Sequence, residues 1–134
     1  MVQDYILGVI ERVKTKYQIS NVYLMGYSQG AAFAYTIALK NPDKIAGVIG
    51  LSGYLMELDH PNSILGTEDL EKARDLRVFM AHGNQDAAID VERARELKTL
   101  FEEQGLDVTY REFEGQHGID PQVLQESVAW ITAD

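Results

Sequence analysis

Residues 22–39 read VYLMGYSQGAAFAYTIAL. An apolar run, Val22–Met25, has the composition of a strand. A tight turn follows, Gly26-Tyr27-Ser28-Gln29-Gly30, and small and apolar residues from Ala31 onward continue as a helix. The turn spells G-x-S-x-G, the pattern of a nucleophile elbow. A serine held between strand and helix must adopt a strained backbone. Its neighbours two positions to either side must be nearly side-chain-free so that the two elements can approach. The serine oxygen then projects at the C-terminal end of the strand, where the amides that open the helix can stabilise a developing negative charge. Three fixed letters match by accident in about one chain in twenty of this length, so the flanking strand and helix carry the reading. Residues 19–39 contain no charge, which also raises a membrane span; the central Ser28-Gln29-Gly30 and the early Ser20-Asn21 argue against it.

The chain has 134 residues, the length of one domain spanning 1–134. With 46% hydrophobic and 25% charged residues it has the composition of a globule able to bury a core. A net charge of −9 and the absence of a basic stripe disfavour nucleic acid and anionic membranes as partners. There is no cysteine, so disulfides, thiolate nucleophiles and cysteine metal sites are excluded, and a cytoplasmic location is the expectation. The N-terminal segment carries Asp4 and Glu11 within its apolar pattern and reads as an amphipathic helix, not a secretory signal.

Ile6, Ile10, Val13 and Tyr17 recur at helical spacing, predicting a helix over Val2–Tyr17 with those residues inward. The helix after the elbow is apolar nearly all round, which predicts deep burial, and Asn41-Pro42 stops it. Ile45–Ser52 is a second uniformly apolar strand, the kind covered on both faces in a parallel sheet. Residues 53–77 are the least regular, with a short helix predicted from Thr67 to Asp75 and Thr67 as a weak cap. Arg77–His82 reads as a third strand and Ile89–Gln104 as an amphipathic helix ended by Gly105. Asp107–Phe113 alternates as a fourth, more exposed strand, and Pro121–Thr132 forms a last helix with Leu124, Val128 and Ile131 on its stripe. The fold class is α/β, with about four parallel strands flanked by helices.

A serine is a poor nucleophile unless a base takes its proton, and the base needs an orienting acid. In this fold class the partners follow in the order serine, acid, histidine. Of three histidines, only His117 follows the last strand, in a loop flanked by Gly115 and Gly118; it is the candidate base. His82 ends the third strand and reads as a ring supporting the acid loop, and His60 as a surface residue. Asp86, in the loop after the third strand, is the natural acid. Asp90 and Asp120 are rivals that read better as helix-start residues.

Four motifs in order, Gly26-Tyr27-Ser28-Gln29-Gly30-Ala31-Ala32, Leu51-Ser52-Gly53-Tyr54-Leu55, His82-Gly83-x-x-Asp86 and Gly115-Gln116-His117-Gly118-Ile119, resemble those of the phospholipase/carboxylesterase family of α/β-hydrolases. That family includes acyl-protein thioesterases and small bacterial carboxylesterases. The resemblance implies Ser28 as nucleophile, Asp86 as acid and His117 as base, with the backbone N–H of Gln29 in the oxyanion hole. It also implies a substrate pocket at Tyr27, Leu55 and Ile89, and no metal or cofactor. Two departures are small: Gly115-Gln116-His117 stands where Gly-Gly-His is usual, and Ile89-Asp90 where Val-Pro is frequent.

Members of the family carry further strands before the elbow and a His-Gly-rich loop that supplies a second oxyanion amide. This chain is expected to be a truncated form of the fold, opening at the helix before the nucleophile strand. One missing oxyanion donor costs about 10² to 10³ in rate, so weak activity is expected. The strand Val22–Met25 becomes a sheet edge, which predicts a homo-oligomer paired there or a partner chain that supplies the rest. Two readings of function follow. The first is a serine hydrolase of small-molecule carboxylic esters with short to medium acyl chains, with thioesterase or lysophospholipase-like activity as the alternative substrate class. The second is a non-catalytic hydrolase fragment acting as an assembly module.

Overall fold

A computed structural model describes residues 2–133. Five helices and four strands alternate: α1 (Val2–Tyr17), β1 (Tyr23–Tyr27), α2 (Gln29–Lys40), β2 (Gly47–Leu51), α3 (Thr67–Lys72), β3 (Arg77–Gly83), α4 (Val91–Glu103), β4 (Asp107–Phe113) and α5 (Pro121–Thr132). All pairings are parallel and the strand order is β1-β2-β3-β4. Because each strand lies beside its predecessor, every crossover helix packs on the same face of the sheet.

Alternation along the strands builds two apolar layers. Val48, Val78 and Met80 point to the layer that buries Ile10 of α1, Tyr35 and Leu39 of α2, Leu70 of α3, and Leu97 and Phe101 of α4. Ile49, Leu51, Phe79 and Ala81 point to the other, where α5 supplies Val123 and Trp130. Tyr35 occupies the space a side chain at position 50 would need, with its hydroxyl 1.9 Å from where a Cβ on Gly50 would stand. Both central strands are covered on both faces, as their uniformly apolar sequences require.

Some expected details differ. β1 runs two residues further than Val22–Met25, because Gly26 and Tyr27 continue in register with Gly50 and Leu51. On α5 the expected stripe holds at Leu124 and Ile131, which pack partly buried against the layer of Ile49 and Phe79, while Val128 is 54% exposed and Val123, Ser127 and Trp130 form the buried face. Trp130 decides that rotation: it meets Tyr23 edge-on and Phe79 at centroid distances of 5.6 and 5.7 Å, and the Arg77 guanidinium lies 4.4 Å over its ring. Tyr17 ends α1 exposed instead of inward. Thr67 begins α3 rather than capping it; the Asp69 carboxylate accepts the Gly66 N–H at 2.9 Å in the capping role. Asp90 and Asp120 cap α4 and α5 by accepting the amides of Glu92 and Val123.

β1 is an edge, with Met25 48% and Tyr27 39% exposed, and β4 is the other. On α2, Phe33 is also half-exposed, in a cleft with Val2, Thr36, Ile37 and Ile64. Among the described residues no helix is long and apolar enough to cross a membrane.

The two glycines of the elbow are unequal. A Cβ on Gly26 would stand 2.2 Å from the carbonyl oxygen of Gly30, whereas one on Gly30 meets nothing within 4 Å. Only Gly26 is demanded by close approach. Gly26→Ala is expected to destabilise the fold by about 1–3 kcal/mol, the clash being with backbone. Gly30→Ala, at a helical position, is expected to be neutral or stabilising by up to about 1 kcal/mol. Urea unfolding of the two variants checks both.

Candidate active site

Ser28 sits between β1 and α2 with φ 55° and ψ −119°. A positive φ at a non-glycine residue costs about 1–3 kcal/mol and is held only where neighbours over-determine it. Here the Ser28 N–H donates to Leu51 O at 2.9 Å, tying the turn to β2, and its carbonyl accepts the amides of Ala31 and Ala32. The amides of Gln29 and Gly30, the first two of α2, have no intrahelical acceptor and lie at the positive end of the helix dipole.

The loop after β3 brings Asp86 in, and the loop after β4 brings His117. The Asp86 side chain is fully buried and the His117 side chain 23% exposed. Asp86 Oδ2 lies 2.7 Å from His117 Nδ1, and His117 Nε2 lies 2.9 Å from Ser28 Oγ. An ionised carboxylate can only accept, so Nδ1 carries the hydrogen and Nε2 is left to accept from the serine hydroxyl. The other carboxylate oxygen, Oδ1, accepts the backbone amides of Ala88 and Ile89, each at 2.9 Å. Burial pushes the Asp86 carboxyl upward, but the Ile89 amide, the His117 ring and the Ala88 amide outweigh it and hold the group below the ordinary carboxylate range.

The base loop is pinned from several sides. The Tyr27 hydroxyl donates to His117 O at 3.1 Å, and its ring lies 5.2 Å from the imidazole. Ser52, buried and with φ 52°, donates from Oγ to Gly118 O at 2.8 Å. A Cβ on Gly83 would fall 2.3 Å from Gln116 O, and the amides of Asn84 and Gln85 donate to Phe113 O and Gly115 O. Sequence reasoning missed Ser52 and Gly83. The signal lay in their motifs, each placing a small residue at the end of a buried strand.

Of the other residues expected near the substrate, Tyr27 borders the site, but Leu55 and Ile89 are placed differently. Leu55 lines a cleft of about 310 Å³ between residues 54–58 and α4, whose walls include none of Ser28, Asp86 and His117. Ile89 is buried, and its contribution to the site is its backbone amide and carbonyl. His60 is exposed, with Nδ1 accepting the Asn62 amide. Among the described residues no cluster of three or more His, Asp or Glu could hold a metal ion.

The sequence that builds this fold and site is matched by a family model over nearly its whole length. Residues 3–133 fit the Phospholipase/Carboxylesterase model of the α/β-hydrolases. The chain belongs to this family. It is 29% identical over 120 residues to acyl-protein thioesterase 1 of Kluyveromyces lactis, covering 84% of this chain and 49% of that protein. It is 26% identical over 112 residues to a probable carboxylesterase, SOBER1-like, of Arabidopsis thaliana, covering 83% of this chain and 41% of that one. A crystal structure of Arabidopsis thaliana SOBER1 superposes with a TM-score of 0.76 at 20% identity, over 96% of this chain and 61% of that one, a likeness of fold. The chain spans about half the length of the curated relatives it matches.

The depressed Asp86 carboxyl has a consequence for stability. Its folded-state pKa lies below the ordinary value of about 3.9, so the unfolded chain binds its proton first. The ionised group therefore favours the fold above about pH 4, and that contribution is lost as pH falls through the folded-state value. Asp86→Asn removes the titration. Wild type is expected to lose stability more steeply than the variant below about pH 4, read from urea midpoints across an acid series.

Proposed function

We propose that this chain is a serine hydrolase of carboxylic esters, working through Ser28, His117 and Asp86. The observation that carries this reading is the hydrogen-bonded line Ser28 Oγ, His117 Nε2, His117 Nδ1, Asp86 Oδ2, at 2.9 and 2.7 Å, on a strained serine at a helix start. Ser28 Oγ attacks the acyl carbonyl as its proton passes to His117 Nε2. The carbonyl oxygen becomes an oxyanion facing the Gln29 N–H. Collapse expels the alkoxide, which takes the proton from His117 and leaves as an alcohol. Water then attacks the acyl-serine, giving its proton to His117, and the released acid leaves Ser28 protonated again. Asp86 stays ionised throughout and steadies the imidazolium.

Short to medium acyl chains are the proposed substrates, with no metal or cofactor. The acidic net charge of −9 supports a reading without nucleic acid, and the cysteine-free composition supports a cytoplasmic setting. Thioesters are the second substrate class, favoured by the acyl-protein thioesterase among the relatives. With Gln29 as the oxyanion donor, the 134-residue chain assayed by itself is expected to turn over slowly.

The test is covalent labelling with a fluorophosphonate probe, together with hydrolysis of p-nitrophenyl acetate and of an acyl thioester. Wild type is expected to label and to hydrolyse the ester. Ser28→Ala should abolish labelling and cut turnover by about 10³-fold or more, with His117→Ala comparable. An unlabelled wild type, or an equally active Ser28→Ala, would favour an assembly module instead.

The exposed β1 edge, with Met25 and Tyr27 half out of the fold, supports self-association as part of the same proposal. Light scattering after size exclusion is expected to give a mass above the 15.0 kDa of one chain. Met25→Lys should return it to the monomer mass.

A further inference from the structure

The acid of this site touches two imidazoles. Asp86 Oδ2 is 2.7 Å from His117 Nδ1 and 3.2 Å from His82 Nε2. His82, the penultimate residue of β3, is 1% exposed and makes a second, shorter contact from the same nitrogen: Nε2 lies 2.7 Å from Ile89 O. A carbonyl oxygen only accepts, so His82 Nε2 bears a hydrogen, which it donates to Ile89 O, while the same N–H edge of the ring stands 3.2 Å from the carboxylate oxygen as a close polar contact. Residues 86–89 are thus closed on themselves. Asp86 Oδ1 accepts the amides of Ala88 and Ile89, while the carbonyl of Ile89 accepts the ring that also faces Oδ2.

From this geometry we infer that His82 is a positioning residue for the hydrolysis, acting through Asp86. It fixes Oδ2 toward His117 and draws part of the carboxylate charge to itself, setting how strongly Asp86 holds the proton on the base. The inference rests on the hydrolase reading and deepens it. A fold-only role for a buried histidine would need the Ile89 carbonyl alone, whereas the second contact lands on the one oxygen that serves His117. The other charged groups that face His82 are Glu112 and, through it, Arg95. Glu112 of β4 stands beside His82 in register, tied to Arg95 of α4 at 2.6 Å and to the Tyr110 hydroxyl at 2.9 Å. Those partners hold Glu112 below the ordinary carboxylate range. Glu112 is thus ionised well into the acid range and adds a fixed negative charge beside His82.

Taking the His82 donor away leaves more negative charge on Oδ2. His117 then binds a proton more strongly, and the acid limb of kcat/KM moves to higher pH. The experiment compares wild type, His82→Leu and His82→Gln, whose amide N–H₂ can stand near the Nε2 position. Readouts are fluorophosphonate labelling rate, the kcat and KM split on p-nitrophenyl acetate, the pH profile, and circular dichroism. His82→Leu is expected to lower kcat by about 10- to 100-fold, the size of removing a polar group that faces a buried carboxylate, with KM changed less than about threefold. Its acid limb should rise by about half a pH unit or more, and His82→Gln should recover most of both effects. A folded His82→Leu with wild-type kcat, or with an unmoved acid limb, overturns the inference. If His82→Leu does not fold, long-range ¹H–¹⁵N spectra of the wild type decide: His82 must carry its proton on Nε2, and an Nδ1–H tautomer overturns the assignment. A wild type that neither labels nor hydrolyses defeats the hydrolase reading itself, and the spectra still report the tautomer.

Discussion

The structure turns on one backbone constraint, the reversal at Ser28 from strand to helix within a single residue. A serine at φ 55° is tolerable because the turn is fastened on both sides. Its amide reaches across to Leu51 at the end of β2, and its carbonyl starts the hydrogen bonding of α2. Gly26 then lets the backbone of α2 pass at a distance no side chain would allow. The strained conformation aims Oγ away from the sheet while leaving the first amides of α2 beside it. Local strain, helix polarity and serine exposure are therefore one feature seen from three directions.

The remaining groups are delivered by the parallel sheet. In a parallel sheet all strands end on the same side, so the loops after β1, β3 and β4 converge there. β2 contributes less visibly. Leu51 O holds the Ser28 amide, and Ser52, the residue after the strand, holds the carbonyl of Gly118. The histidine loop is consequently braced from the ends of all three strands that do not lead into it as well as by its own.

Much of this was legible in the residues. The strand-turn-helix at 22–39 announces itself because G-x-S-x-G lies between an apolar run and a small-residue helix. The order Ser28, Asp86, His117 could be read because each candidate follows a recognisable strand. The inward face of α5 was legible only in part, Leu124 and Ile131 packing inward and Val128 not. Leu124, Val128 and Ile131 make a respectable apolar stripe, but Trp130 finds Tyr23, Phe79 and Arg77 only once the sheet has formed. Periodicity weighs residues of one helix against each other and knows nothing of the surface they meet. The part Ile89 plays through its amide and carbonyl was equally hidden. A backbone contact leaves no imprint on side-chain pattern.

The interlocking of the loops after β3 and β4 bears on how this site moves. Asn84 and Gln85 donate to Phe113 and Gly115, and Gly83 leaves no room between the two segments. Acid and base therefore belong to one cooperative unit of local unfolding, continuous with the long β3–β4 ladder. The imidazole cannot swing out alone, as a histidine on an independent flap would. Opening its loop means unzipping the ends of two strands, one of them in the interior of the sheet. Hydrogen exchange at Asn84 and Gln85 should accordingly be slow and rise together with that of the strands. The stretch at 53–66, which belongs to no helix or strand, stands outside that ladder.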